Sequence, residues 1–121
     1  MKKGPEPPKR FKFGPYHWTV KLVAAPGKSR TEEGHPKLEG QTDLVACVVE
    51  LDKALTPYRM ATTLHHEIGH VIRFVFGGTE VEDAEKQEEH NVNLYSTGYI
   101  MVEQDNPALC DYFNYWLRNK R

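Results

Sequence analysis

The sequence of 121 residues is poor in cysteine and has no long apolar run. Its two cysteines, Cys47 and Cys110, belong to no Cys-x-x-Cys pair, so the sequence indicates free thiols rather than a disulfide framework. A membrane-spanning helix needs about 20 mostly apolar residues, and a secretory signal needs an apolar segment after its basic start. Because neither pattern occurs, we expect a cytoplasmic protein with no membrane partner.

The sequence also lacks an excess of charge of either sign. Lys and Arg total 16 and Asp and Glu total 17, which gives a net charge of -1 and no general reason to bind nucleic acid. The charges are unevenly distributed, because residues 61–121 carry 5 basic and 10 acidic side chains. The acidic half suits a cation site, and acidic helix surfaces explain it equally well. The length of the chain suits one domain.

One motif in this acidic half points to a definite chemistry, the segment His66-Glu67-Ile68-Gly69-His70. Residues four positions apart lie on the same face of a helix, so His66 and His70 can offer imidazole nitrogens to one metal ion. Glu67 lies beside them, where its carboxylate can accept a proton from water. The motif predicts a site for one Zn²⁺ per chain, with Glu67 as the general base.

The residues around the motif are apolar, as in a buried helix. Leu64 precedes it, and Val71 and Ile72 follow it. Gly69 costs a helix roughly 1 kcal/mol relative to Ala, so we expect something, such as substrate or a neighbouring strand, to pass close to the backbone there. The alternative is a metal-free core helix with two hydrogen-bonded histidines, and it predicts no bound zinc.

The N-terminal half reads as a flexible tail followed by two extended regions. Residues 1–13 are rich in Pro and Lys and predict a flexible tail, which leaves residues 14–121 as the single domain. Residues 16–23 are rich in aromatic and β-branched side chains and predict a strand. Residues 41–51 predict a second extended region. Its apolar core strand is 44–49, which could form a hairpin with the beginning of the same region.

Helix signals are clear in the C-terminal half. Thr56 as N-cap and Pro57 at the first helical position predict a motif helix from about residue 57 to 76, ended by Gly77 and Gly78. Thr79 with Glu82 is a capping box for a second helix, to about residue 103.

A third helix begins at Asn106 and Pro107. Together with the extended regions, the three helices predict an α+β fold, in which a small N-terminal sheet packs on the motif helix and two further helices close the site.

A catalytic zinc normally has three protein ligands, so a further donor is expected on the second helix. An apolar stripe on this helix contains Val92, Tyr95, Tyr99 and Val102, and carboxylates lie in or beside it. The candidate donors are Glu85, Glu88, Glu89 and His90, and the stripe places Glu85 and Glu88 nearer its centre than Glu89.

The motif helix followed by Glu89-His90-Asn91-Val92-Asn93 resembles the gluzincin type of zinc metallopeptidase, especially the compact ImmA/IrrE-like and phage-encoded zincins. The resemblance covers about residues 40–107, and it includes the Asp-Asn-Pro of residues 105–107. In those families the second helix carries Glu-x-x-Ala/Val-Asn. The resemblance therefore implies a minimal zincin-like domain in which Glu89 is the third ligand, with Glu85 as the runner-up.

The function that the resemblance implies is hydrolysis of a peptide bond in a protein or peptide substrate. A phage origin would place this activity in a host cytoplasm. The alternative is a zinc-binding regulatory or interaction protein with little or no proteolytic activity. Oxyanion donors could come from His65, His90, Tyr95 or Tyr99, and the pattern does not choose among them. Residues 41–43 could form a sheet edge that pairs with substrate.

Overall fold

The computed structural model of the chain describes residues 4–27, 38–76 and 84–119, with the backbone alone for residues 84–91. It confirms the α+β class. One mixed sheet has the strand order β1-β2-β4-β3, with β2 parallel to β4 and both outer pairs antiparallel. The strands are β1 Arg10–Phe13, β2 Tyr16–Val23, β3 Gly40–Asp43 and β4 Val48–Asp52.

Three helices follow the sheet in the chain. They are α1 Pro57–Val75, α2 Ala84–Asp105 and α3 Pro107–Phe113, and a π-helical turn Asn114–Arg118 continues α3. The core lies between the sheet and α1, as predicted. It contains fully buried side chains from both layers, among them Trp18, Val49, Leu51, Leu64 and Ile68. Within the described ranges, no helix combines the length and the apolar character that a membrane crossing needs.

The predicted flexible tail is wrong for residues 10–13, because these residues form β1. Phe11 and Phe13 are buried, and Phe11 stacks on Trp18 across the strand pair. The carbonyl of Pro5 accepts a hydrogen bond from Trp116 Nε1 at 2.9 Å. Alternation of aromatic and basic residues was the strand signal here, and the surrounding prolines and lysines concealed it. Residues 1–3 lie outside the described residues.

The predicted apolar strand 44–49 is also wrong over its first four residues, which form the turn between β3 and β4. The Oδ1 atom of Asp43 accepts hydrogen bonds from the backbone N–H groups of Val45 and Ala46, both at 3.0 Å. Val45 is 97% exposed, and Cys47 adopts a positive φ of 57°. The turn forms despite its apolar residues because the Asp43 carboxylate satisfies its N–H groups.

Helix α1 begins as predicted. Thr56 is the N-cap, and its hydroxyl accepts from the N–H of Arg59 at 3.4 Å, with Pro57 at the first helical position. The helix ends at Val75 with Phe76 as C-cap. The predicted end signal at residues 77–78 and the capping box of the second helix lie outside the described residues.

Asn106 joins the end of α2 to the outer edge of the sheet. Its side-chain amide accepts from the N–H of Lys12 at 2.8 Å and donates to the Lys12 carbonyl at 2.7 Å. An adjacent strand would make the same two hydrogen bonds to Lys12. The Asn106 side chain therefore takes the place of a neighbouring strand at this position of β1. The predicted third helix starts at Pro107, directly after this contact.

Helix α2 packs on α1 through a glycine. An added Cβ on Gly98 would lie 2.3 Å from Cγ2 of the buried Ile72. The predicted stripe of α2 is correct for Val102, which is buried, and wrong for Val92, which is 57% exposed. Leu94, 8% exposed, takes part in the core instead. Tyr95 and Tyr99 pack against the core as predicted, so the predicted stripe is wrong only at Val92 among its described residues.

We expect Gly98→Ala to destabilise the protein although alanine is the better helix former. The clash with Ile72 costs about 1–3 kcal/mol, whereas helix propensity returns only about 1 kcal/mol. Thermal or urea unfolding measures the difference. Ser96→Ala on the exposed face of α2 is the control and leaves stability unchanged or slightly higher. Equal stability of Gly98→Ala and the wild type would contradict the close packing.

Candidate metal centre

The three charged or ligating residues of the motif converge on one side of α1. Donor atoms of His66, Glu67 and His70 all lie within 4.8 Å of one another. The two imidazole rings have centroids 5.0 Å apart and planes at 85°. Both histidines are exposed, whereas Glu67 is only 6% exposed. The helix therefore presents two accessible imidazoles beside a buried carboxylate.

The motif lies in a groove between α1 and the sheet edge β3. One pocket of about 590 Å³ is lined by Glu39, Arg59 and Thr62. A second pocket of about 290 Å³ is lined by Thr42 and His70. Gly40, His66 and Glu67 line both pockets. A chain segment lying along β3 would therefore pass directly over the motif.

Strand β3 holds Glu67 in place through two inward-facing residues. The hydroxyl of Thr42 donates to Oε1 of Glu67 at 2.7 Å. An added Cβ on Gly40 would lie 3.2 Å from Cγ of Glu67 and 2.8 Å from Cγ2 of Thr63. The strand can approach the helix this closely because residue 40 has no side chain. Neither contact follows from the sequence, since hairpin residues carry no signal that names their partner on a helix.

An ion pair ties the entry of β3 to the first turns of α1. The guanidinium of Arg59 donates from Nε to both carboxylate oxygens of Glu39, at 2.9 and 3.0 Å, and from Nη2 to Oε1 at 2.5 Å. The hydrogen bond from Arg59 holds the pKa of Glu39 below its usual value. Both side chains are substantially exposed, so solvent weakens the pair, and its main effect is geometric.

Tyr99 of α2 explains the glycine inside the motif. Its Oη lies 3.1 Å from the position of a Cβ on Gly69, and it donates to the backbone carbonyl of His65 at 2.5 Å. We expected a close approach to the backbone at Gly69 from substrate or a strand, but the neighbour is a side chain of the second helix. Burial raises the pKa of the Tyr99 hydroxyl, so this donor remains protonated and engaged with His65.

His65 takes no part in the metal cluster. Its ring stacks on Tyr99, with centroids 4.1 Å apart, and meets Phe113 edge-on at 5.0 Å. Burial lowers the pKa of His65, which favours the neutral ring. Because Tyr99 and His65 are both committed to packing, these two residues are poor candidates for oxyanion donors. His90 lies outside the described side chains, and Tyr95 lies near Gly69, with Cε1 3.7 Å from the added Cβ.

The third ligand stays a prediction. The helical backbone of α2 includes Glu85, Glu88 and Glu89, but their side chains lie outside the described part of the chain. Tyr95, Tyr99 and Val102 of the predicted stripe contact or belong to the core, and Val92 does not. None of these residues shows which of Glu85, Glu88 and Glu89 faces the motif. Glu89 therefore rests on the resemblance alone.

Comparisons with known proteins do not identify a family. No protein-family model matches the chain, and no curated protein or solved structure gives a significant match.

The residues present fit a zinc ion by their chemistry. The two imidazoles are donors that zinc prefers in hydrolytic sites, and the carboxylate that would complete the set belongs to the predicted third ligand, Glu89. His66 and His70 present their rings 5.0 Å apart on the exposed side of the helix. Their exposure also gives an ion a path from solvent.

We expect the purified protein to carry about one zinc per chain, measured by mass spectrometry of metal content. His66→Ala and His70→Ala should each lose it, because two remaining ligands hold zinc weakly. Among the carboxylate variants, Glu89→Ala should lose zinc, whereas Glu85→Ala and Glu88→Ala should keep it.

His17→Ala, an exposed histidine on β2, is the control and should retain full zinc. Full occupancy in both motif variants, or no uptake by the wild type after zinc is added, would contradict a metal centre at the motif. Loss in Glu85→Ala or Glu88→Ala instead of Glu89→Ala would reassign the third ligand.

Proposed function

We propose that the protein is a zinc-dependent peptidase that hydrolyses a peptide bond, with His66 and His70 as zinc ligands and Glu67 as general base. The observation that supports this most is the placement of Glu67. Its carboxylate is buried beside two exposed imidazoles, at the floor of a groove that runs under a sheet edge. A zinc site that only stabilises a fold has no need of such an open groove.

The edge of β3 supports a peptide substrate. The N–H of Asp52 donates to the carbonyl of Glu39 at 2.8 Å, and register pairs Gln41 with Glu50. Hydrogen-bonded pairs alternate in an antiparallel ladder, so the backbone groups of Gly40 and Thr42 face away from β4. Among the described residues no strand pairs with that edge. An extended peptide could add there as a further strand, directly beside the motif.

In this proposal strand β3 binds the peptide and Glu67 transfers the proton. The β3 edge holds the peptide extended, and the groove admits water next to Glu67. When bound, zinc supplies Lewis acidity that lowers the pKa of water from about 15.7 toward 7. Glu67 accepts a proton from the attacking water at its carboxylate and returns it to the leaving amine. The products are a carboxylic acid and an amine, which completes the hydrolysis.

We expect Glu67→Gln to keep its zinc and lose peptidase activity by at least about 100-fold, because an amide cannot accept the proton. The measurement is cleavage of a proteome-derived peptide library by zinc-loaded protein, with zinc content determined on the same samples.

Glu6→Gln, an exposed site in the N-terminal segment, is the matched control and should cleave like the wild type. Undiminished cleavage by Glu67→Gln would rule out its role as base. A zinc-loaded wild type that cleaves nothing in the library would favour the alternative of a zinc-binding regulatory protein.

A further inference from the structure

Thr42 belongs to the outermost described strand of the sheet, β3, and its hydroxyl contacts the carboxylate of Glu67. We propose that Thr42 is a positioning residue, which fixes one oxygen of Glu67 and leaves the other to exchange the proton. The backbone of Thr42 belongs to the strand edge where a peptide would pair, so Thr42 also links the Glu67 carboxylate to that edge. The inference rests on the proposed function for its catalytic consequence, whereas the contact itself can be tested without activity.

The geometry decides which acceptor the hydroxyl uses. A threonine hydroxyl has one proton to donate. Oγ1 of Thr42 lies 2.7 Å from Oε1 of Glu67 and 3.4 Å from the backbone carbonyl of Glu67. The shorter distance is normal for an O–H···O bond, and the longer one exceeds the usual range. Oε1 is therefore the acceptor, and among the described residues Oε2 has no hydrogen-bond donor.

The contact fixes the orientation of the Glu67 carboxylate beside the two imidazoles. Donor atoms of Glu67, His66 and His70 lie within 4.8 Å of one another while the hydrogen bond from Thr42 is formed. Thr42 retains Oε1 at the strand, on the side of Glu67 that faces β3. Gly40 contacts the stem of the same side chain. Two residues of one strand thus fix both the stem and the carboxylate.

The backbone of Thr42 extends this link to the substrate side. Its carbonyl faces the free edge, where it accepts a 3.3 Å hydrogen bond from the side-chain amide of the neighbouring Gln41. At that length the bond is weak, so a peptide N–H can replace it. A peptide that pairs with β3 therefore orders the residue whose hydroxyl holds Glu67. Peptide binding at the edge of β3 and orientation of the Glu67 carboxylate therefore both depend on Thr42.

The kinetic test compares Thr42→Val with Thr42→Ser on a peptide selected from the library. Valine keeps the shape and removes the donor, so kcat should fall about 10- to 100-fold, the effect of losing a hydrogen bond to a charged group. KM should stay within about threefold and zinc content at one per chain, because valine leaves the edge backbone and both histidines intact. Serine restores the hydroxyl and should recover most of kcat.

The control for the Thr→Val change is Thr19→Val on β2, whose side chain faces away from α1. It should leave kcat and KM unchanged. A Thr42→Val enzyme with wild-type kcat, or a Thr42→Ser enzyme as slow as Thr42→Val, would overturn the positioning role.

A double-mutant cycle in zinc-free protein tests the contact independently of activity. Thr42→Val, Glu67→Met, which removes the acceptor oxygens at similar size, and the double variant are unfolded in urea. The two single effects should be non-additive by about tenfold in the unfolding equilibrium constant, because each removes the same hydrogen bond. Additive effects would overturn the inference whether or not the protein is a peptidase. Non-additive effects in a protein that cleaves nothing would retain the contact and reject the proposed function together with the catalytic role of Thr42.

Discussion

The close approach of strand β3 to helix α1 is the constraint on which the site depends. The strand lies so near the helix at Gly40 that any Cβ there would meet Thr63 and Glu67. This contact buries Glu67 and places Thr42 within hydrogen-bonding distance of its carboxylate. In the part of the chain that the structure describes, no strand pairs with the outer edge of β3. A carboxylate in this position is shielded from bulk water on the strand side and accessible from the groove.

The second helix approaches α1 from another side by a similar device. Gly98 of α2 allows contact with Ile72, and Gly69 of α1 allows contact with Tyr99. Glycine in a helix is unfavourable by about 1 kcal/mol relative to alanine. At both positions the helix is intrinsically less stable, and the two helices can pack more closely. The motif therefore lies on a helix held between a strand and a second helix, and its histidines face the open side.

The sequence was most informative where chemistry and local structure share one short segment. His66, Glu67 and His70 converge because helical spacing alone brings them together, and Thr56-Pro57 mark the helix start through local hydrogen bonding and a fixed φ. Signals of this kind involve only neighbours in the chain. The strand at residues 16–23 was predictable for the same reason.

Features that depend on distant partners could not be predicted in the same way. Strand β1 lies in a Pro- and Lys-rich segment, and its pairing with β2 and with Asn106 outweighs that composition. An apolar run at 44–47 became a turn through the carboxylate of Asp43. Thr42 is an ordinary hairpin residue until Glu67 lies opposite it. The sequence therefore does not predict which residues bring the motif under a sheet edge, and the structure is needed to find them.

If the motif on α1 holds zinc, the ion has nitrogen and oxygen neighbours alone, and X-ray absorption at the zinc edge of the zinc-loaded protein tests this most directly. We expect two imidazole nitrogens and oxygen neighbours at about 2.0–2.2 Å, and no sulfur. A sulfur neighbour at about 2.3 Å would assign the ion to Cys47 or Cys110 and contradict the account. A spectrum without imidazole scattering would contradict it equally.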